Sequence, residues 1–527
     1  MASTRLKVLL LLKILIICDA QEQLIHVKPD SCPQECFCSY QFPDCQTLSE
    51  YALNTSSYLP SKFILTPGLY YLDSHFSING TSFESFSLNG TENTTIYCRQ
   101  NATLSFNGLT SVTIQNVAFV SCGEGDLPGI SLTNINTVKM MDISVANTTS
   151  GALYIKDSSN VEVTNLAITN NKNSLATIVS IQNSIVTSLN NLNIFRNSIG
   201  VYDSECVYSS FPNVEEVVFR IDGGFLTAES VDVTDNVGLF GVMALSNVEA
   251  VVNGDWSFKL NRACLGSLFL SEVIMELTGT LLSNENKGIS EKDNSNAGLY
   301  FSNSQVNING TLESIANEGY ITSIQSLGSN ISLMEGSSLL LNGNHNGLQA
   351  MSLAEGTKLV IQNGTLTACN NTMRQRLILV NNSQVIFNGH TTFINNSKSP
   401  FSVHNAIIQL YGQIYFQDNA GVVFAVTSHL DIDGNSTFYR NNVDDGFKDG
   451  ALAIFYQSSL KNWVAIIHFL KIEMKLWTVV QYMQEPNLLL SLAESEHLKI
   501  TQQIMEVQFS LRNNLDLNST MKLIYTL

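Results

Sequence analysis

An all-β solenoid, a right-handed parallel β-helix of 22–31 residues per coil, is the fold the sequence predicts. Three observations carry it. A Gly–Asn register recurs at coil-length spacing, short apolar-alternating runs fill the space between turns, and charged residues make up only 14% of the chain. Stacked repeats of this length cannot bury an apolar face singly, so each coil needs a neighbour.

The register is clearest in the second half. Gly254, Gly279, Gly310, Gly336, Gly364, Gly389, Gly412 and Gly434 recur at spacings of 25, 31, 26, 28, 25, 23 and 22. Seven of the eight are followed seven residues later by Asn261, Asn286, Asn317, Asn371, Asn396, Asn419 and Asn441. Gly336 is followed instead by Gly343, with Asn344 next to it. Phe258, Phe393, Phe416 and Phe438 lie between Gly and Asn and are expected to point inward and stack. The seven asparagines are expected at turns, in left-handed backbone geometry, with amides laddered between coils. In the first half, Ile114, Met140 and Val163 share one phase, and Asn116, Asp142 and Asn165 follow two residues on. A β-sandwich fits strand spacings of 8–12 residues but does not explain the register.

The N-terminus reads as a targeting segment. Arg5 and Lys7 precede the apolar run from Val8 to Cys18, and small residues lead to Gln21. Residues 1–20 are therefore expected to be a signal peptide, too short to span a bilayer. Residues 21–66 are expected to form a Cys-rich cap whose short helix opens at a Thr47/Glu50 capping box. The solenoid is expected over 67–460.

Secretion would expose sequons and oxidise thiols. Candidate N-glycosylation sites are Asn54, Asn79, Asn89, Asn93, Asn101, Asn147, Asn309, Asn330, Asn363, Asn370, Asn381, Asn395 and Asn435, with Asn518 in the tail. Disulfide candidates are Cys32, Cys36, Cys38, Cys45, Cys98 and Cys122; a zinc site is the rival reading of the first four, whose pairing stays open. Cys206, Cys264 and Cys369 are scattered and read as buried thiols.

The net charge of -18 argues against nucleic-acid binding. No apolar stretch of spanning length follows the first, so no membrane span is expected. Expected partners are carbohydrate or extracellular protein, at the cell surface or beyond it, and no cofactor is expected. Asp444-Asp445 is the adjacent Asp pair a hydrolase would need, but it sits beside Gly446 and reads as a solvated turn. A lyase would need a calcium-binding acid cluster and a basic residue; Asp222, Asp232 and Asp235, near Arg220, read instead as turn residues in a long loop, and Asp431 and Asp433 flank a strand end and could bind an ion but lack the nonapeptide calcium consensus. His345, His390 and His404 fall at turn-like positions.

The F-x-x-N copies, such as NGHTTFINN and YGQIYFQDN, resemble repeats of the polymorphic outer membrane proteins, on a pectin-lyase-like right-handed β-helix. The segment from CQTLSEYALN to the I-x-N-x-x-F-x-x-C of Ile114–Cys122 resembles large eukaryotic secreted β-helix proteins. DGALAIF, from Asp449, departs from the G-G-A-I partner element of those repeats. The resemblance covers about residues 45–460 and implies a fold more than a function. Many pectin-lyase-like proteins are polysaccharide lyases or glycoside hydrolases, so a carbohydrate-active enzyme is the alternative. The His-Gly element of such hydrolases is absent here, and Arg-x-Lys occurs only as Arg5-Leu6-Lys7, ahead of the coils.

The register stops after Leu460, where Gly disappears and Trp, Met and Lys enter. A shifted reading frame permits D-G-G-A-I-Y over Trp477 to Tyr482 and G-G-A-I-F over Met505 to Phe509. A helical cap is one reading of residues 461–527; the shifted frame favours the other, that they are out of frame or mis-spliced and pack poorly on the last coil.

Overall fold

A computed structural model describes residues 23–30, 46–52, 61–199, 217–289 and 296–441, apart from gaps of at most three residues, and short strands between 453 and 526. The described strands form a parallel β-solenoid of about 13 turns with almost no helix. Two compact units divide the chain, 1–200 with 222–226, and 201–221 with 227–527.

In the first unit, Ser111–Val120, Thr137–Ala146 and Asn160–Thr169 pair in parallel, with Ile114, Met140 and Val163 in register. Val186–Phe195 pairs with the last of them, and each of the four runs is ten residues long and bends at its middle, because Asn116, Asp142, Asn165 and Asn191 adopt φ of 54–56° there. Short polar side chains tolerate that left-handed geometry. Outside the bend the carboxamides chain together: Asn165 Nδ2 donates to Asp142 Oδ1 at 2.7 Å, and Asn191 Nδ2 to Asn165 Oδ1 at 2.9 Å. A second face stacks Leu104–Asn107, Ile130–Thr133, Leu153–Lys156 and Val179–Gln182. Ile114, Phe119, Met140 and Val145 fill the space between faces and are fully buried.

The parallel ladder starts inside the segment predicted as a cap, since Gln23–Val27 pairs with Ser61–Leu65. The helix Leu48–Ala52 opens as expected. Thr47 N–H donates to Glu50 Oε2 at 2.7 Å, and Glu50 N–H to Thr47 Oγ1 at 3.3 Å. Tyr51 packs edge-on against Phe63, so the helix covers the aromatic stack of the first coils.

In the second unit the bent strands are eleven or twelve residues long, and glycine takes the bend. Gly279 pairs with Gly310, and Gly364, Gly389, Gly412 and Gly434 align in succession. The reason is space. A Cβ at Gly310 would lie 2.0 Å from Gly279 O, and one at Gly412 would lie 2.3 Å from Gly389 O. Phe393 and Phe416 stack inward at 5.2 Å with ring planes 10° apart. Burial of each such ring stabilises the coil by about 2–3 kcal/mol.

Past residue 460, where poor packing was expected, Val464–His468 pairs in parallel with Asn435 to Tyr439. The β-branched run suits that strand. Ile504–Val507 then pairs antiparallel with Met521–Thr526, a departure from the solenoid pattern.

Candidate functional site: an asparagine ladder and the groove beside it

Each of the seven predicted ladder asparagines is buried, with Asn261, Asn286 and Asn317 at 0% exposure. Asn344 takes the ladder place in the Gly336 coil, one residue later than the register, and Asn236 extends the row. Nine asparagines thus stack from 236 to 441. A shorter row, Asn171 and Asn197, lies in the first unit.

The bonding repeats. Asn286 Oδ1 accepts the backbone N–H of Asn261 at 2.9 Å, while Asn286 Nδ2 donates to Phe258 O at 2.9 Å. Asn371 Oδ1 accepts from Asn344 N–H, and Asn371 Nδ2 donates to Leu341 O. From Asn261 to Asn441, each carboxamide therefore meets the backbone of the preceding coil at two points. Buried polar groups are this well satisfied because leaving them unpaired costs about 1–3 kcal/mol each. At Ser283 and Ser314, where the Phe position holds serine, the hydroxyls join the row through Asn286 and Asn317.

The predicted left-handed geometry belongs to the neighbour and not to the ladder residue. Leu260, Glu285, Ala316, Asn370, Asn395 and Asp418, each just before a ladder asparagine, have φ of 52–56°. The sharp turn must precede the carboxamide, so that its side chain swings inward onto the earlier coil. A third left-handed column, missed in the sequence, holds Asn134, Asp157, Asn183, Asn247, Glu272, Asn303, Gly328, Glu355, Asn382 and Asn405.

The residue after each ladder asparagine is the outward start of a short parallel row. Val237, Arg262, Lys287, Glu318, His345 and Thr372 pair in sequence along it. A groove of about 490 Å³ opens beside this row and is lined by Arg262, Lys287, Glu318, Tyr320, Asn346 and Arg374, among others. Glu318 accepts from Asn346 Nδ2 at 2.7 Å, with Lys287 Nζ at 3.1 Å and His345 Nε2 at 3.8 Å. The Asn346 hydrogen bond, with Lys287 beside it, holds the Glu318 carboxyl below its ordinary range.

Nine sequon asparagines are exposed: Asn79, Asn93, Asn101, Asn147, Asn309, Asn330, Asn363, Asn370 and Asn395. Asn381 is half-buried. Asn89 is only 8% exposed, and this burial closes its Nδ2 to a glycan. Cys98 and Cys122 form a disulfide between successive coils. Cys264, read as a buried thiol, is disulfide-bonded; one cysteine in a scattered set gives no spacing signal for this. Cys369 is a half-buried free thiol whose pKa burial pushes up. Residues 1–20, Asn54, Asn518, Cys32, Cys36, Cys38, Cys45, Cys206, Asp444 and Asp445 lie outside the described residues, as do the side chains of Asn435 and Phe438.

Of the acids read as turn residues, Asp235 is at a turn, but Asp222 and Asp232 are on strands. Asp222 ends Val217–Asp222, Asp232 lies within Val231–Thr234, and Asp235 takes the left-handed corner after it. Strand alternation turns Asp232 outward, where Thr234 Oγ1 donates to it at 2.7 Å. His390 is exposed, and His404 is half-buried with Nε2 2.9 Å from Ser402 Oγ. Among the described residues no group of three or more His, Cys, Asp or Glu converges as metal ligands would, and no helix is long and apolar enough to cross a membrane.

The fold and its ladder define the class, a parallel β-solenoid held by buried asparagines. No protein-family model matches this chain, and no curated protein matches it.

Proposed function

We propose that this is a secreted or cell-surface glycoprotein of the pectin-lyase-like, right-handed β-helix kind, with a structural, adhesive or recognition role and no catalytic one. The carrying observation is the division of its asparagines. Ladder members are sealed inside, whereas nine of the eleven sequon asparagines with described side chains are exposed. Extended solenoid faces suit recognition, since they present repeated outward side chains to a long ligand. Disulfides at Cys98–Cys122 and at Cys264 accord with an oxidising compartment.

Expression in a eukaryotic secretory host tests the reading. The protein should appear in the medium carrying N-glycans at several exposed sequons and none at Asn89. Retention inside the cell without glycans would refute it, and turnover in a screen of polysaccharide lyase and hydrolase substrates would replace it with the enzyme alternative.

A further inference from the structure

We infer that the groove beside the second unit's ladder binds an acidic saccharide, one bearing sulfate or carboxylate groups. This rests on the recognition reading and names its ligand class. The chain as a whole has 45 acidic against 27 basic residues, yet this groove reverses the balance. Arg262, Lys287 and Arg374 line it, and among the described residues that line it Glu318 is the single carboxylate. Glu318 is already engaged by Asn346 and Lys287. Arg262 and Arg374 have no ion-pair partner among the described residues. Two guanidinium groups therefore remain to receive anionic oxygens, and their planar forks match sulfate and carboxylate in two-point contact.

The scaffold holds these groups in place. Asn261, Asn286 and Asn371, fixed in the ladder, stand one to three residues before Arg262, Lys287 and Arg374. Coils lie about 4.8 Å apart, so Arg262 and Arg374, four coils apart, span about 19 Å at the backbone. That length fits an extended oligomer better than a lone ion. The half-buried Tyr320 ring adds an apolar platform on which a sugar face can rest, while Ile289 and Leu348 offer too little apolar surface to anchor a protein's aromatic hot spot.

The test uses the full-length secreted protein and isothermal titration calorimetry. Probes are a heparin-derived sulfated hexasaccharide, a polygalacturonate hexasaccharide, neutral cellohexaose and a single-stranded hexadeoxynucleotide. One or both acidic saccharides should bind, more weakly as salt rises, and which one binds identifies the anionic group. In the double variant Arg262→Gln, Arg374→Gln, the Kd should rise at least about tenfold. Both arginines are exposed, so an unchanged thermal midpoint should show the variant is folded. Acidic-saccharide binding unaffected by the double variant overturns the assignment, as does equal binding of the oligonucleotide. Binding of cellohexaose alone overturns it while leaving the recognition reading intact; no binding by any probe overturns the saccharide class itself.

Discussion

Asn419 Oδ1 accepts both the backbone N–H of Asn396, at 3.1 Å, and Asn396 Nδ2, at 2.8 Å. The same Asn396 amide also donates to Ala368 O in the coil before, so one side chain bridges three coils. Asn396→Ala would orphan the buried N–H of Asn371 and the Ala368 carbonyl. We expect a loss of about 3 kcal/mol in urea unfolding. Asn371 N–H should also lose hydrogen-exchange protection; if it stays fully protected, the carboxamide is not what satisfies it.

Leu260 stands where the adjoining coils place Asp235 and Glu285, and more distant ones Ala316, Gly343, Asn370, Asn395 and Asp418. It is 50% exposed, with φ of 56°. A branched aliphatic side chain gains nothing there and carries left-handed strain of about 1–2 kcal/mol. Leu260→Asn should therefore stabilise the protein by about 1 kcal/mol, seen as a higher thermal midpoint. A lower midpoint would mean the exposed leucine packs against something.

Two glycines separate strain from crowding. Gly336 has φ of 78° and nothing within 4 Å of an added Cβ, whereas Gly412, at 105°, would place one 2.3 Å from Gly389 O. Gly336→Ala should cost about 1 kcal/mol by denaturant titration, and Gly412→Ala about 3 kcal/mol or more because a strand must move. Equal costs would show that the glycine column is not set by close approach.

His404 gives a pH dependence. Burial, and then Arg376, pull its pKa below the ordinary imidazole value of 6.5. The unfolded chain takes up a proton near 6.5 while the folded one resists until lower pH. Stability is thus full above about pH 6.5 and falls as pH drops through the folded-state value. His404→Gln should flatten the fall in thermal midpoint between pH 6.5 and 5. An unaltered slope would place the acid sensitivity elsewhere.

The sequence exposed the coil period wherever a single residue type is obligatory. Glycine at the bend and asparagine in the ladder are such places, because backbone contact leaves no substitute. In the first unit the bend holds Asn165 or Asn191, and the ladder asparagine follows six residues later, at Asn171 and Asn197. A search for Gly followed by Asn at seven passes over these. Asn344 escaped through a one-residue shift after Gly343. The groove was illegible for another reason. Its cations come from coils far apart in sequence, and only the parallel stacking of Arg262 on Lys287 and Lys287 on Glu318 brings them to one place. Capping-box chemistry at Thr47 and Glu50 is local, and was readable from four residues.

The disulfide between Cys98 and Cys122 has a mechanical consequence. Under tension a solenoid of this type should peel one winding at a time, each releasing about 80 Å of chain for about 24 residues at an extended 3.3–3.6 Å per residue. The S–S link closes 24 residues of sequence between neighbouring windings. A molecule pulled from both ends should lengthen in even steps but never yield that one segment, until a reductant frees it and one more step appears.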